Sequence, residues 1–163
     1  MMNIRFVHST LKLKGRGGTQ VILSQTAVYG LKAVMYLAET ERGTPIRVDE
    51  MARELDVPRN YLSKILHALA RAGLLGSTRG PKGGFELLAR PEELRLSEVL
   101  THFDEVGSGP GCLLGRAECS DKNPCAAHQR WKGVSMAVWE FFRETTVADL
   151  SHHGSSVKSA ILG

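Results

Sequence analysis

The sequence predicts a mainly α chain with a small β-wing: a winged helix-turn-helix followed by a long C-terminal dimerisation helix. Three observations predict it. Apolar residues recur at steps of three and four through three successive stretches before residue 73, the second and third meeting at Val57-Pro58. Two short β-prone runs then flank a basic turn, Ser77-Thr78-Arg79-Gly80-Pro81-Lys82-Gly83-Gly84. A long heptad-like run follows between 126 and 145.

The elements follow in order. Residues 1–22 mix Lys and Arg with Gly15, Gly17 and Gly18 and lack periodicity, so they are expected to be a basic flexible extension. From Ser24 to about Thr40 the positions Ala27, Val28, Leu31, Val34, Met35 and Ala38 form one helical stripe, with Ser24 as N-cap. Gly43 and Pro45 break the chain. Val48, Met51, Ala52 and Leu55 mark a short second helix, ended by Pro58, which biases Val57 away from helical geometry. A third helix runs from about Pro58 to Ala72, with Leu62, Ile65, Leu66 and Leu69 inward and Gly73 as its stop. Leu74-Leu75 and Phe85–Leu88 read as hairpin strands. Leu96, Val99, Leu100 and Phe103 mark a fourth helix beginning near Ser97. The last helix carries Trp131, Val134, Val138, Phe141 and Thr145 on one seam, and Thr146 is a candidate cap for a final turn. That seam predicts a homodimer. The expected organisation is an extension at 1–22, a winged helix-turn-helix domain at 23–103, a cluster-binding loop at 104–125, a dimerisation helix at 126–150 and a flexible tail at 151–163.

Composition narrows the functional classes. Of 163 residues, 42% are hydrophobic, enough to offset chain entropy and to exclude disorder throughout. The net charge is +4, with no acid before Glu39 while Arg5, Lys12, Lys14, Arg16 and Lys32 precede it. This bias is compatible with nucleic acid. The first 23 residues lack the apolar core of a signal peptide. No apolar run approaches the roughly 20 residues that cross a bilayer. A cytoplasmic chain with no membrane partner is expected. No Ser/His/Asp grouping, phosphate loop or paired-carboxylate site is recognisable, so an enzyme is not expected.

On the third helix Asn60, Ser63, Lys64, His67 and Arg71 fall at i, i+3, i+4, i+7 and i+11, a face of donors without an acid. A helix entering the major groove needs short polar groups toward base edges and phosphates, with an apolar back to anchor it. Arg59, Asn60, Ser63, Lys64 and His67 supply that face, and Tyr61 beside it can contact a phosphate or seal the core. Arg79, Gly80 and Lys82 at the wing tip can bring cations to the adjacent minor groove. Helix, turn, basic helix and basic wing in this order point to double-stranded DNA.

All three cysteines lie between 112 and 125, in the pattern Cys112-x6-Cys119-x5-Cys125-x2-His128. A secreted disulfide scaffold would use an even, dispersed set. Three thiolates in one loop are soft donors suited to zinc, Cu(I) or an iron–sulfur cluster. Structural zinc prefers a C-x2–4-C pair, which is missing, whereas intervals of five and six suit a bulkier iron–sulfur cluster. Zinc and redox-active thiols remain open at this point. His128, one turn beyond Cys125, is a candidate fourth ligand. A cluster-carrying or electron-transfer protein on the same scaffold is the alternative to a regulator.

The run VDEMARELDVPRNYLSKILHALARAGLLGSTRGPKGGFELL, followed by the cysteine pattern, resembles bacterial iron–sulfur regulators of the IscR and NsrR type. The resemblance covers about Leu23 to Leu150. It implies a winged-helix homodimer with crossing C-terminal helices, palindromic operator DNA, and a cluster held by Cys112, Cys119 and Cys125. In IscR-like members a histidine two residues beyond the third cysteine completes a 2Fe–2S site, and His128 stands in that place. In NsrR-like members an aspartate on the partner's first helix completes a 4Fe–4S site. That place holds Val28 here, which cannot ligate. The resemblance therefore implies 2Fe–2S over 4Fe–4S. One departure is the first cysteine interval, six residues here against five in the IscR-like pattern.

Overall fold

The computed structural model describes residues 23–41, 43–104, 112–114 and 120–151. The expected extension at 1–22, Cys119 and the tail beyond 151 lie outside the described residues. The elements are α1 (Gln25–Ala38), α2 (Val48–Glu54), α3 (Arg59–Arg71), β1 (Leu75–Thr78), β2 (Gly84–Leu87), α4 (Leu96–Leu100), α5 (His128–Glu144) and α6 (Val147–Ser151). The mainly helical chain carries one two-stranded antiparallel sheet, the winged-helix arrangement expected.

Ser24 starts α1: its Oγ accepts from the Ala27 N–H at 3.1 Å. The buried residues of α1 are Ala27, Gly30, Ala33, Val34, Tyr36 and Leu37. Small residues there let neighbours approach closely; a Cβ at Gly30 would sit 2.6 Å from the Phe103 ring. The α2–α3 turn closes where the Val57 N–H donates to Ala52 O at 3.0 Å. It places Asp56 at φ 50°, a left-handed conformation that aspartate tolerates better than most residues. Pro58 caps α3, whose Leu62, Ile65, Leu66 and Leu69 are all buried. Gly73, at φ 79°, ends it with the Leu74 N–H donating back to Leu69 O.

The wing pairs Leu75 with Leu87 through to Thr78 with Gly84. Its turn is therefore tighter than the sequence pattern implied, because Ser77, Thr78 and Gly84 join the strands. On the other edge of β2, Ile46 and Phe85 exchange two backbone hydrogen bonds of 2.8 Å each. Gly84 is required beside that bridge, since a Cβ there would lie 2.4 Å from Ile46 O.

The long helix starts at His128, two residues later than the sequence pattern indicated. Its far end is not a segment apart from the winged domain. Leu96 N–H donates to Thr145 O at 3.0 Å and Val147 N–H to Leu94 O at 2.8 Å. The Arg95 guanidinium caps α5 by donating to the carbonyls of Arg143 and Glu144. Phe142 and Val147 thereby join the same core as α1, α3 and α4. Thr146 and Asp149 cap α6 reciprocally, with Thr146 N–H on Asp149 Oδ2 and Asp149 N–H on Thr146 Oγ1.

Gly84→Ala is expected to destabilise the protein by about 1–3 kcal/mol, because backbone must move to admit the methyl group. Leu88→Ala, at a half-exposed neighbouring site, should stay within about 0.5 kcal/mol. Urea midpoints at constant slope measure both.

Candidate nucleic-acid interface and cysteine segment

Of the predicted α3 residues, His67 meets the wing directly. Asn60, Lys64 and His67 are exposed on α3, and Ser63 is half-buried. The His67 ring packs edge-on against Phe85 of β2, with centroids 5.1 Å apart. That contact ties α3 to the wing. Arg79, Gly80, Pro81 and Lys82 are exposed at the tip, where Gly80 takes φ 106°.

Two residues of the predicted face have partners that the α3 pattern alone does not reveal. Arg59 is ion-paired through Nε with Asp49 Oδ1 of α2. The face is thus acid-free only along α3 itself; a carboxylate from the preceding helix stands against it. Tyr61 is turned toward α1: its hydroxyl shares a hydrogen bond with Thr26 Oγ1, and its ring meets Tyr29 edge-on at 5.7 Å. Arg47 was not singled out by sequence. Its Nη1 donates to Pro81 O at 3.4 Å, and its Nη2 lies 4.0 Å from Asp49 Oδ2. Only the fold joins residues 47 and 81, so no local signal marked it.

The first turn of α1 also meets the start of the cysteine segment. Ser24 N–H donates to Asp104 Oδ2 at 2.7 Å, and Phe103 fills the space above Gly30. One helix thus touches α3 through Thr26 and Tyr29, and residues 103–104 through its N-cap Ser24 and Gly30.

Of the proposed ligands, Cys112 and Cys125 are half-buried, and Cys119 lies outside the described residues. His128 is 3% exposed. Its backbone N–H donates to Cys125 O at 3.0 Å, and its Nε2 lies 2.7 Å from Asp121 Oδ1. The second carboxylate oxygen accepts from Lys132 Nζ at 2.6 Å. The Lys132 hydrogen bond, and after it that of His128, holds the Asp121 carboxyl below its ordinary value of 3.8. The carboxylate is therefore present at neutral pH. Asp121 was missed because it matches no ligand spacing. Among the described residues, no three of His, Cys, Asp and Glu gather so as to hold a metal ion.

On α5 the inward residues are His128, Ser135 and Phe142. Of the expected seam, Val138 packs against the core and Trp131 is half-buried, but Val134 and Phe141 are 52% and 50% exposed. No helix among the described residues is long and apolar enough to cross a membrane.

Residues 23–153 match the profile of the Rrf2 family, described as "Iron-dependent Transcriptional regulator". This chain belongs to the Rrf2 family of transcriptional regulators. An HTH-type regulator from Aquifex aeolicus (strain VF5), itself described as putative, is 34% identical over 132 residues, spanning 80% of this chain and 91% of the relative. The HTH-type transcriptional regulator IscR of Vibrio atlanticus (strain LGP32) is 27% identical over 78% of this chain and 73% of that protein. The solved structure of CymR, the global cysteine regulator of B. subtilis, has the same fold, with a TM-score of 0.68 and 24% identity over 82% of this chain and 98% of CymR. An Rrf2 chain is a DNA-binding regulator and not an enzyme, as the sequence indicated.

Tyr61→Phe and Thr26→Val should each cost about 0.5–1.5 kcal/mol, and the double variant no more than the larger single loss. Urea denaturation of the four proteins measures this, and additive losses would contradict the shared hydrogen bond.

Proposed function

We propose that this Rrf2 protein is an iron–sulfur transcriptional regulator whose operator binding depends on the state of its cysteine segment. The observation that carries the reading is the double contact of α1, with Tyr61 of the recognition helix and with Asp104 and Phe103 at the start of that segment. A change at the cysteines reaches the DNA-reading surface through one helix. The protein works as a cytoplasmic homodimer on palindromic double-stranded DNA. Asn60, Ser63, Lys64 and His67 face base edges and phosphates. Arg59 joins them when it leaves Asp49, and Arg79, Gly80 and Lys82 enter the flanking minor groove. Val134 and Phe141 are the apolar positions that a second copy covers.

Cys112, Cys119 and Cys125 would hold the cluster, with His128 as fourth ligand and 2Fe–2S as its form. The donor set fits: three soft thiolates and one imidazole. Metal-ligating histidines commonly give their second ring N–H to a carboxylate, which fixes the tautomer. Asp121 on Nε2 would supply that partner. The cluster supplies sensitivity to iron, redox state or nitric oxide; the chain supplies the holder and the link to DNA.

Protein purified without oxygen should be coloured, with about two iron and two sulfide per chain. Cys112→Ser and Cys125→Ser variants should be colourless. A colourless wild-type protein carrying zinc, or carrying no metal, would make this a zinc- or thiol-based regulator instead.

The Lys64→Ala, Arg79→Ala double variant should bind duplex DNA about tenfold or more weakly. Its salt slope should be shallower by about 0.9 per lost phosphate contact. Fluorescence anisotropy across salt concentrations measures this. Unchanged affinity would favour a cluster-carrying protein on a helix-turn-helix scaffold.

A further inference from the structure

An acid beside a DNA-reading helix needs an explanation. The Arg59 and Asp49 side chains are 61% and 53% exposed, and exposed ion pairs add little to stability. Asp49 is therefore not there chiefly to hold α2 to α3, whose interface already has Met51, Ala52, Leu62 and Leu66 in the core. Its place is more informative than its strength. One oxygen takes Arg59 at the first position of the recognition helix, and the other faces Arg47, which donates in turn to Pro81 at the wing tip. Asp49 thus sits between two cations, one on the recognition helix and one bonded to the wing.

We propose that Asp49 is a specificity-determining residue for DNA, acting through Arg47 and Arg59. This rests on the DNA interface proposed above. A carboxylate near phosphates repels them, and it occupies Nε of an arginine that would otherwise bind any phosphate it met. Phosphate contacts carry no sequence information, and off the cognate duplex they are nearly all the protein has, so the restraint weighs most on binding there. On the cognate duplex the base-edge contacts of α3 seat the helix so that Arg59 exchanges Asp49 for a well-placed DNA contact. On other duplexes no such exchange is available. Discrimination arises as a difference between the two affinities, with the acid acting against the wrong partner.

The test uses the full-length protein and two probes: the duplex most enriched by the wild-type protein from a random library, and a scrambled duplex of the same composition. Asp49→Asn keeps the size and an acceptor but loses the charge. It should bind the scrambled duplex about three- to tenfold tighter, with a salt slope steeper by about 0.9. Its ratio of enriched to scrambled affinity should fall by a similar factor. Glu92→Gln, the same charge change at an exposed position outside the helices and the wing, should match wild type on both. Equal scrambled-duplex affinity in Asp49→Asn and wild type, or a parallel weakening on both probes, would overturn the proposal while leaving the DNA interface standing. A wild-type protein that enriches no sequence would overturn both, and a thermal melt confirms that each variant is folded.

Discussion

Helix α1 must pack on α3, α4, α6 and β2 at once, and the rest of the structure depends on that constraint. It is met by small side chains. Ala27, Ala33 and Val34 are fully buried, and Gly30 leaves room for the Phe103 ring. Close approach lets short elements share one core, as a five-residue α4 and a five-residue α6 could not hold themselves in place. The same closeness couples parts far apart in sequence. Where side chains interdigitate at crystal-like density, neighbours shift together or not at all. The recognition helix and the start of the cysteine segment are both such neighbours of α1.

Much of the fold was legible because its signals are local. The stripe Leu62, Ile65, Leu66, Leu69 lies within one helix, Gly73 stops it, and the basic glycine turn names the wing. Each is set by periodicity or backbone geometry over a few residues. The long helix was harder to read. Val134 and Val138 belong to one periodic pattern, yet Val138 rests on the core while Val134 faces away. Ser135 and Phe142 point inward just beside Val134 and Phe141. A hydrophobic period says that a helix has an apolar side, not what covers each part of it.

The site was legible residue by residue and less so as an arrangement. The exposed donors Asn60, Lys64 and Arg79 could be named from type and spacing. The partners of Arg59, Tyr61 and His67 could not, since Asp49, Thr26 and Phe85 reach them only through the fold. His128 shows the same limit. Spacing marked it as a possible ligand, but its burial and its Asp121 contact depend on how the start of α5 folds against residues 120–125. Pairings across the chain are where function collects, because they are what one element needs in order to respond to another.

The link between cysteine segment and DNA is tested most directly by the affinity for the enriched duplex before and after iron removal by a chelator. It should be measured without oxygen, in wild type and in a Thr26→Val, Tyr61→Phe variant. The expected result is a change of about tenfold or more in wild type and a smaller one in the variant, which lacks the hydrogen bond between Thr26 of α1 and Tyr61 of α3. Equal affinities with and without iron in wild type would contradict control of DNA binding by the cysteine segment, and the full wild-type change surviving in the variant would contradict its passage through the Thr26–Tyr61 contact.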